Sequence, residues 1–160
     1  MKRILVLSDS HRDVETMIDV VKKENPNMII HLGDCWDDAL ALQEHFVNIP
    51  MEMVPGNCDL TMEIPVRVLI IEGYHVMICH GHTYNVKASY LALEMAAQEK
   101  EADVVLFGHT HRVFYDKHNG LVIMNPGSIG SPGYGSPASY GILTLDGKKR
   151  TIDLHIEYIE

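Results

Sequence analysis

The chain of 160 residues is poor in cysteine and in positive charge, and it contains no long apolar run. Its three cysteines, Cys35, Cys58 and Cys79, are too few and too scattered for a disulfide scaffold, and they lack the paired spacing of a structural zinc site. The opening stretch from Met1 to Asp9 has only a short apolar run cut off by polar residues. It has neither the longer apolar core nor the small-residue cleavage site of a signal peptide. No segment is apolar over the length a bilayer requires. A cytoplasmic location with no membrane attachment is therefore expected. Thirteen Lys and Arg stand against 22 Asp and Glu, a formal charge of −9. So acidic a chain is badly suited to stable nucleic-acid binding, which draws its affinity from cations that release counterions. Most of the acidic excess reads as solvated surface, and part of it fits acidic ligands that bound cations would neutralise. With 46% hydrophobic residues the chain can bury one ordinary core, which implies a single domain over residues 1–160.

What is present is a run of short apolar segments separated by helical patterns. Ile4 to Leu7, Met28 to Leu32 and Glu52 to Val54 read as buried strands. Between them, Val14 to Lys23 carries Val14, Met17, Ile18 and Val21 on one helical face, and Asp37 to Phe46 reads as a second helix. Val66 to Ile71 and His75 to Cys79 form a predicted hairpin around Glu72-Gly73-Tyr74. Val86 to Glu101 is the third predicted helix, with Ala88, Leu91 and Met95 toward the core, and Asp103 to Phe107 is another buried strand. The final third alternates instead. Val113 to Tyr115, Leu121 to Met124, Tyr140 to Leu145 and Thr151 to Tyr158 read as strands, with tight turns at His118-Asn119-Gly120 and Asp146-Gly147-Lys148. The expectation is an α/β domain: two mixed β-sheets packed face to face as a sandwich, flanked by α-helices.

The chemistry is concentrated where strands end. The first strand is followed by Asp9-Ser10-His11, the second by Gly33-Asp34 and the third by Gly56-Asn57-Cys58-Asp59. His80-Gly81-His82 follows Cys79, and Gly108-His109-Thr110-His111 follows Phe107. Each motif alone is weak, because Gly-Asp and Gly-Asn are common turns and isolated Asp-x-His or His-x-His pairs are often structural. Together they differ from turns in that open α/β sheets gather ligands beyond the carboxyl ends of their strands. Carboxylate oxygen, amide oxygen and imidazole nitrogen in one place suit a first-row divalent metal such as manganese, iron, nickel or zinc.

This ordered series resembles the calcineurin-like metallophosphoesterases, whose pattern is Asp-x-His, Gly-Asp, Gly-Asn-His-Asp/Glu, a lone His, then Gly-His-x-His. The short length, the Gly-Asn-Cys-Asp variant and Asn125-Pro126-Gly127-Ser128 resemble a compact bacterial and archaeal branch, described as phosphodiesterases that prefer manganese. The resemblance implies two metals, Mn²⁺ first and Ni²⁺, Zn²⁺ or Fe as alternatives. It assigns Asp9, His11 and His111 to one, Asn57, His80 and His109 to the other, and Asp34 as the bridge. It further implies a small phosphate ester as substrate, hydrolysed by in-line attack of a hydroxide held between cations about 3.5–4 Å apart. Asp34, Asn57 and His82 are the residues expected to serve the reaction directly.

Two departures bear on this. A histidine usually stands where Cys58 does, thought to stabilise the transition state or protonate the leaving group. A thiol is a poor substitute for imidazole, and Cys58 is expected to pack as a small hydrophobe; whether or not it packs, the usual general acid is missing from that place. His82 is the candidate replacement, the alternative being that it only supports a neighbouring ligand. Family members also often carry an arginine after the Pro-Gly-Ser stretch, and Ser131-Pro132-Gly133-Tyr134 has none. Residues 125–139 read either as a surface loop or as backbone bordering the substrate. Cys35 and Cys79 are expected in the core, Trp36 and Tyr84 in the pocket wall or packed. His31, His45, His75, His118 and His155 are expected to have no functional role. The rival is a non-catalytic interaction module on the same fold, as in a eukaryotic retromer subunit that resembles the family but has an incomplete metal site. A metallo-β-lactamase-type hydrolase needs a His-x-His-x-Asp-His run, which His80 to Asn85 lacks. Oligomeric state is left open.

Overall fold

The computed structural model describes residues 1–133 and 135–159. Strand β1 (Lys2–Leu7) is followed by helix α1 (Val14–Glu24), β2 (Met28–His31), helix α2 (Trp36–His45) and β3 (Met51–Met53). Asp13 caps α1 by accepting from the Thr16 amide at 3.2 Å, and Asn25 closes it in a left-handed conformation. The crossovers leave β1, β2 and β3 parallel. Next come β4 (Val66–Ile71), β5 (Tyr74–Cys79), helix α3 (Leu91–Glu99), β6 (Val104–Leu106), β7 (Val113–His118), β8 (Leu121–Pro126), β9 (Ala138–Asp146) and β10 (Thr151–Ile159).

These strands form two five-stranded sheets, ordered β10-β9-β1-β2-β3 and β4-β5-β6-β8-β7, each mixing parallel and antiparallel pairs. Ile4, Val6 and Ile30 of the first sheet meet Val76, Ile78, Val104 and Leu106 of the second in one apolar layer. Met17, Val21 and Leu42 hold α1 and α2 on the outer face of the first sheet. Leu93 and Ala97 hold α3 on the outer face of the second. Among the described residues no helix is long and apolar enough to cross a membrane.

The expected two-sheet sandwich is observed, with one correction. The third helix begins at Leu91, not Val86, and its buried face is Leu93 and Ala97; Leu91 is 63% exposed, Met95 60%, and Ala88 is exposed too. Residues 85–88 form turns instead: the Ala88 and Ser89 amides both bond to the Asn85 carbonyl, Val86 is buried, and Tyr90 packs on Phe107 and Phe114 before the helix starts.

Candidate metal centre

β1, β2 and β3 end beside β5 and β6 of the opposite sheet, so the loops that follow them meet at one edge of the sandwich. Their backbones are forced there. Asp9, His11, Asp34, His109 and His111 all have positive φ, between 43° and 72°. Such conformations cost a non-glycine residue of order 1–2 kcal/mol each, and they persist where the surrounding structure over-determines them. Glycine provides the room: a Cβ on Gly56 would lie 2.1 Å from Asp34 Oδ1 and 2.7 Å from its amide nitrogen.

Asp9 is fully buried. Its Oδ2 accepts from the Ser8 hydroxyl at 2.6 Å and the His109 amide at 3.1 Å. Its Oδ1 is buried with no hydrogen-bond partner. That oxygen faces Nε2 of His111 at 3.3 Å, of His80 at 3.8 Å and of His11 at 3.9 Å. The tautomers make this more pointed. His80 Nδ1 lies 2.8 Å from the Leu32 carbonyl and His111 Nδ1 2.5 Å from the Ser131 carbonyl. A carbonyl only accepts, so both Nδ1 atoms carry the proton, and a neutral ring then turns a lone pair inward on Nε2. With both rings neutral, lone pairs and a carboxylate converge there without donors, a set that suits a cation. With none bound, the carboxylates of Asp34 and Asp9 outweigh burial and push both imidazoles up, so that a proton takes that place.

A second convergence adjoins the first. Around His80 Nε2 stand Asn57 Oδ1 at 3.1 Å, His109 Nδ1 at 3.2 Å and Asp34 Oδ2 at 3.4 Å. Two groups have ligand atoms mutually within 4.8 Å, Asp9-His11-His111 and Asp9-Asp34-His80, with Asp9 common to both. The seven predicted ligands are therefore brought together, and they fit divalent cations. His82 sits alongside with its ring 5.5 Å from that of His80, and its buried Nδ1 has no partner.

The electrostatics follow from the same crowding. Burial alone would raise the Asp34 carboxyl, but the hydrogen bond and charge of His80 and the Cys58 amide at 3.0 Å hold it well below the usual range. Burial would likewise raise Asp9, and His111, His80 and Ser8 outweigh it and lower it. Burial and the neighbouring His80 charge push His109 down to about 4, and both also lower His82.

Several supporting residues escaped the sequence reading. Asp59 accepts three backbone amides, from Trp36 at 2.7 Å, Gly56 at 2.8 Å and Asp34 at 3.0 Å, tying the loop after β2 to the loop after β3. Its place in Gly56-Asn57-Cys58-Asp59 is a signal of the kind expected of a loop-closing Asx residue. Buried Asn125 donates to the Gly108 carbonyl and Thr110 hydroxyl, both at 3.0 Å, and so fixes the His109–His111 loop. His31, given no role by sequence, is fully buried: its Nδ1 accepts from the Gly33 amide at 3.2 Å, so Nε2–H donates to Ser10 Oγ at 3.0 Å. Ser10 in turn donates to Asp38 at 2.8 Å, linking the first two ligand loops.

The structure corrects other expectations. Cys58 does not pack; it is exposed beside Asn57. Cys79 is buried as expected, whereas Cys35 is only half-buried. The first part of the 125–139 stretch is neither surface nor substrate border. Residues 125–129 are buried, the Ser128 hydroxyl donates to the Asp9 carbonyl at 2.7 Å, and the Ile129 amide is spent on Ser8 at 3.1 Å. Tyr134 lies outside the described residues.

Fold and site together are those of the metallophosphoesterase class of proteins. Residues 1–148 match the calcineurin-like phosphoesterase superfamily domain, and the chain belongs to that superfamily. It is 32% identical over 152 residues to the probable metallophosphoesterase YsnB of Bacillus subtilis, covering 93% of this chain and 88% of that protein. It is 24% identical to the phosphodiesterase YfcE of Escherichia coli, covering 91% and 89% of the two chains. Among solved structures, a predicted phosphoesterase from Streptococcus pneumoniae superposes with a TM-score of 0.81 at 25% identity, covering 98% of this chain and 89% of that one. Vps29 of Chaetomium thermophilum shares the fold, with a TM-score of 0.76 at 18% identity over 99% and 97% of the chains.

Proposed function

We propose that the protein is a phosphodiesterase dependent on two divalent metals, Mn²⁺ foremost, acting on a small phosphate diester. The observation that carries this is Asp9 Oδ1, a buried carboxylate oxygen with no hydrogen-bond partner, ringed by three imidazole nitrogens. Asp9, His11 and His111 would hold one cation and Asn57, His80 and His109 the other; Asp34 is the shared ligand that the family resemblance assigns, and Asp9 lies within reach of both groups. When bound, the metals acidify a water and offset the charge that builds on phosphate during in-line displacement.

The chain's own residues set up that reaction. Leu32 and Ser131 carbonyls hold His80 and His111 in the tautomer that points a lone pair inward. The lowered carboxyls of Asp9 and Asp34 stay ionised at neutral pH. Asn57, exposed above His80, is the neutral ligand best placed to meet the phosphate as well. Burial lowers His82, so as a neutral imidazole it suits accepting a proton better than giving one. An interaction module with a degenerate site would be expected to lack ligands, and none of the seven is missing. The diester-specific name of the Escherichia coli relative supports the choice of diester over monoester.

The test is metal dependence on an activated aryl diester such as bis(p-nitrophenyl) phosphate. Chelation should abolish hydrolysis and added Mn²⁺ restore it. Full turnover by protein shown metal-free by elemental analysis would sink the reading.

A further inference from the structure

Arg12 follows His11, Cys35 follows Asp34 and Cys58 follows Asn57, and these three residues line one cavity of about 310 Å³. Cys58 ties it to the ligand cluster, with its Sγ 3.7 Å from Asn57 Nδ2 and its amide donating to Asp34 at 3.0 Å. Its far wall is Trp36, the only tryptophan of the chain, with Leu60 fully exposed at the mouth. Trp36 also borders a second cavity with Leu40 and Ile64, so it forms the partition between the two. Its backbone is fixed beside the site, since its amide donates to Asp59 at 2.7 Å.

The charges in this cavity select its occupant. Asp37, Asp38 and Asp59 line it against a single guanidinium, that of Arg12. Three carboxylates to one cation repel a second phosphate. They favour a group that is neutral and carries N–H donors. Arg12 is exposed and makes no ion pair among the described residues, unlike Arg3 and Arg67. Asp38 is already engaged by Ser10 and the Arg12 amide, and Asp59 by three amides, whereas Asp37 is exposed at the helix start. An aromatic wall, an apolar lip, a planar cation and a carboxylate acceptor match a flat heterocycle with ring or exocyclic N–H groups. Ligand cavities run from about 300 to 1,000 Å³, so this one takes a single ring system.

We propose that this cavity is a nucleobase subsite, and that the substrate is a mononucleotide-sized diester whose base packs on Trp36. The proposal rests on the phosphodiesterase reading above and narrows its substrate class. A nucleic-acid polymer is disfavoured because the chain carries a formal charge of −9.

Two measurements on the manganese-loaded full chain test it. The first compares the p-nitrophenyl ester of thymidine 5′-monophosphate with ethyl p-nitrophenyl phosphate, which release the same phenolate. The nucleoside ester should be favoured about tenfold or more in kcat/KM, mainly through KM, as expected of base stacking on an aromatic side chain. Trp36→Leu should collapse that preference, Trp36→Phe should retain most of it, and Arg12→Ala should reduce it. The second uses the single tryptophan as its own reporter and needs no turnover and no variant. Adenosine 5′-monophosphate should perturb its fluorescence saturably, and ribose 5-phosphate should do so only weakly. If neither ester is cleaved, the phosphodiesterase reading fails, and the fluorescence titration still decides the subsite. Equal kcat/KM for both cleaved esters, or equal fluorescence responses to the two ligands, would overturn the subsite.

Discussion

Cys58 and His31 show how much a single position can decide. Cys58 stands in the open beside Asn57, and burial together with the Asp34 charge raises its thiol, so it neither packs nor ionises readily. A site with no proton donor there should depend on the leaving group's own acidity. Cys58→His should therefore accelerate alkyl diesters more than aryl ones, toward the roughly 10²–10⁴-fold that general acid help is worth. Rates plotted against leaving-group pKa in both proteins check this, and parallel lines would remove position 58 from proton transfer. His31 acts on stability instead. Burial, only partly offset by the carboxylates of Asp9, Asp38 and Asp59, pushes it down to about 4 from the usual 6.5. Between those values the unfolded chain binds a proton that the folded one does not, so stability is full above about pH 6.5 and falls as pH drops toward 4. The loss is about 3 kcal/mol at 1.36 kcal/mol per pKa unit. Urea titrations of the metal-free protein at pH 7 and pH 4.5 should show it, and His31→Gln should have a correspondingly shallower pH dependence. Sequence offered no hint of this, because a histidine inside an apolar strand looks the same whether it merely packs or ties two loops together.

The loops at the strand ends are the elements on which the site depends, and Asp59 joins two of them. Replacing it by alanine would strand three amide donors, each part-buried. An unmet buried donor costs about 1–3 kcal/mol, so Asp59→Ala should lose about 3 kcal/mol in a denaturant titration. Gly56→Ala should act on the same junction by pushing Asp34 aside, and metal content should fall with it. The strands and the ligand series were legible because period-two and continuous apolar runs, each closed by Asp, Asn or His, leave little choice. The third helix was less so. Ala88, Leu91 and Met95 have helical spacing, but the turns at residues 85–88 delay the helix to Leu91 and leave Leu93 and Ala97 inside. A pattern of apolar residues does not encode which of them are spent on turns before a helix starts. Residues 125–129 were misread for a related reason: Gly127 and Ser128 mark close packing behind Asp9, whereas Ser131, Gly135 and Ser136 are exposed as a surface loop would be.

At the scale of the whole molecule, metal binding and folding should be coupled, because the proposed ligands come from both sheets. Asp9, His11, Asp34 and Asn57 follow strands of the first sheet, and His80, His109 and His111 follow strands of the second. Metal at one hundred times its Kd should stabilise the native state by about 2.7 kcal/mol per site. For a domain of this size each kcal/mol raises Tm by about 2–4 °C. Asp34→Ala should lose both ions together by elemental analysis and forfeit most of that rise, whereas His11→Ala should lose mainly one. Elsewhere the sheets meet through an apolar layer that resists separation but not sliding, with ion pairs such as Arg67–Glu52 at 2.5 Å. An ion shared by both sheets is then a rivet across a seam. Pulled apart in a single-molecule experiment through handles at Tyr115 on one sheet and Asp153 on the other, the sandwich should rupture at a higher force with manganese than with chelator, and the first break should be the release of the rivet.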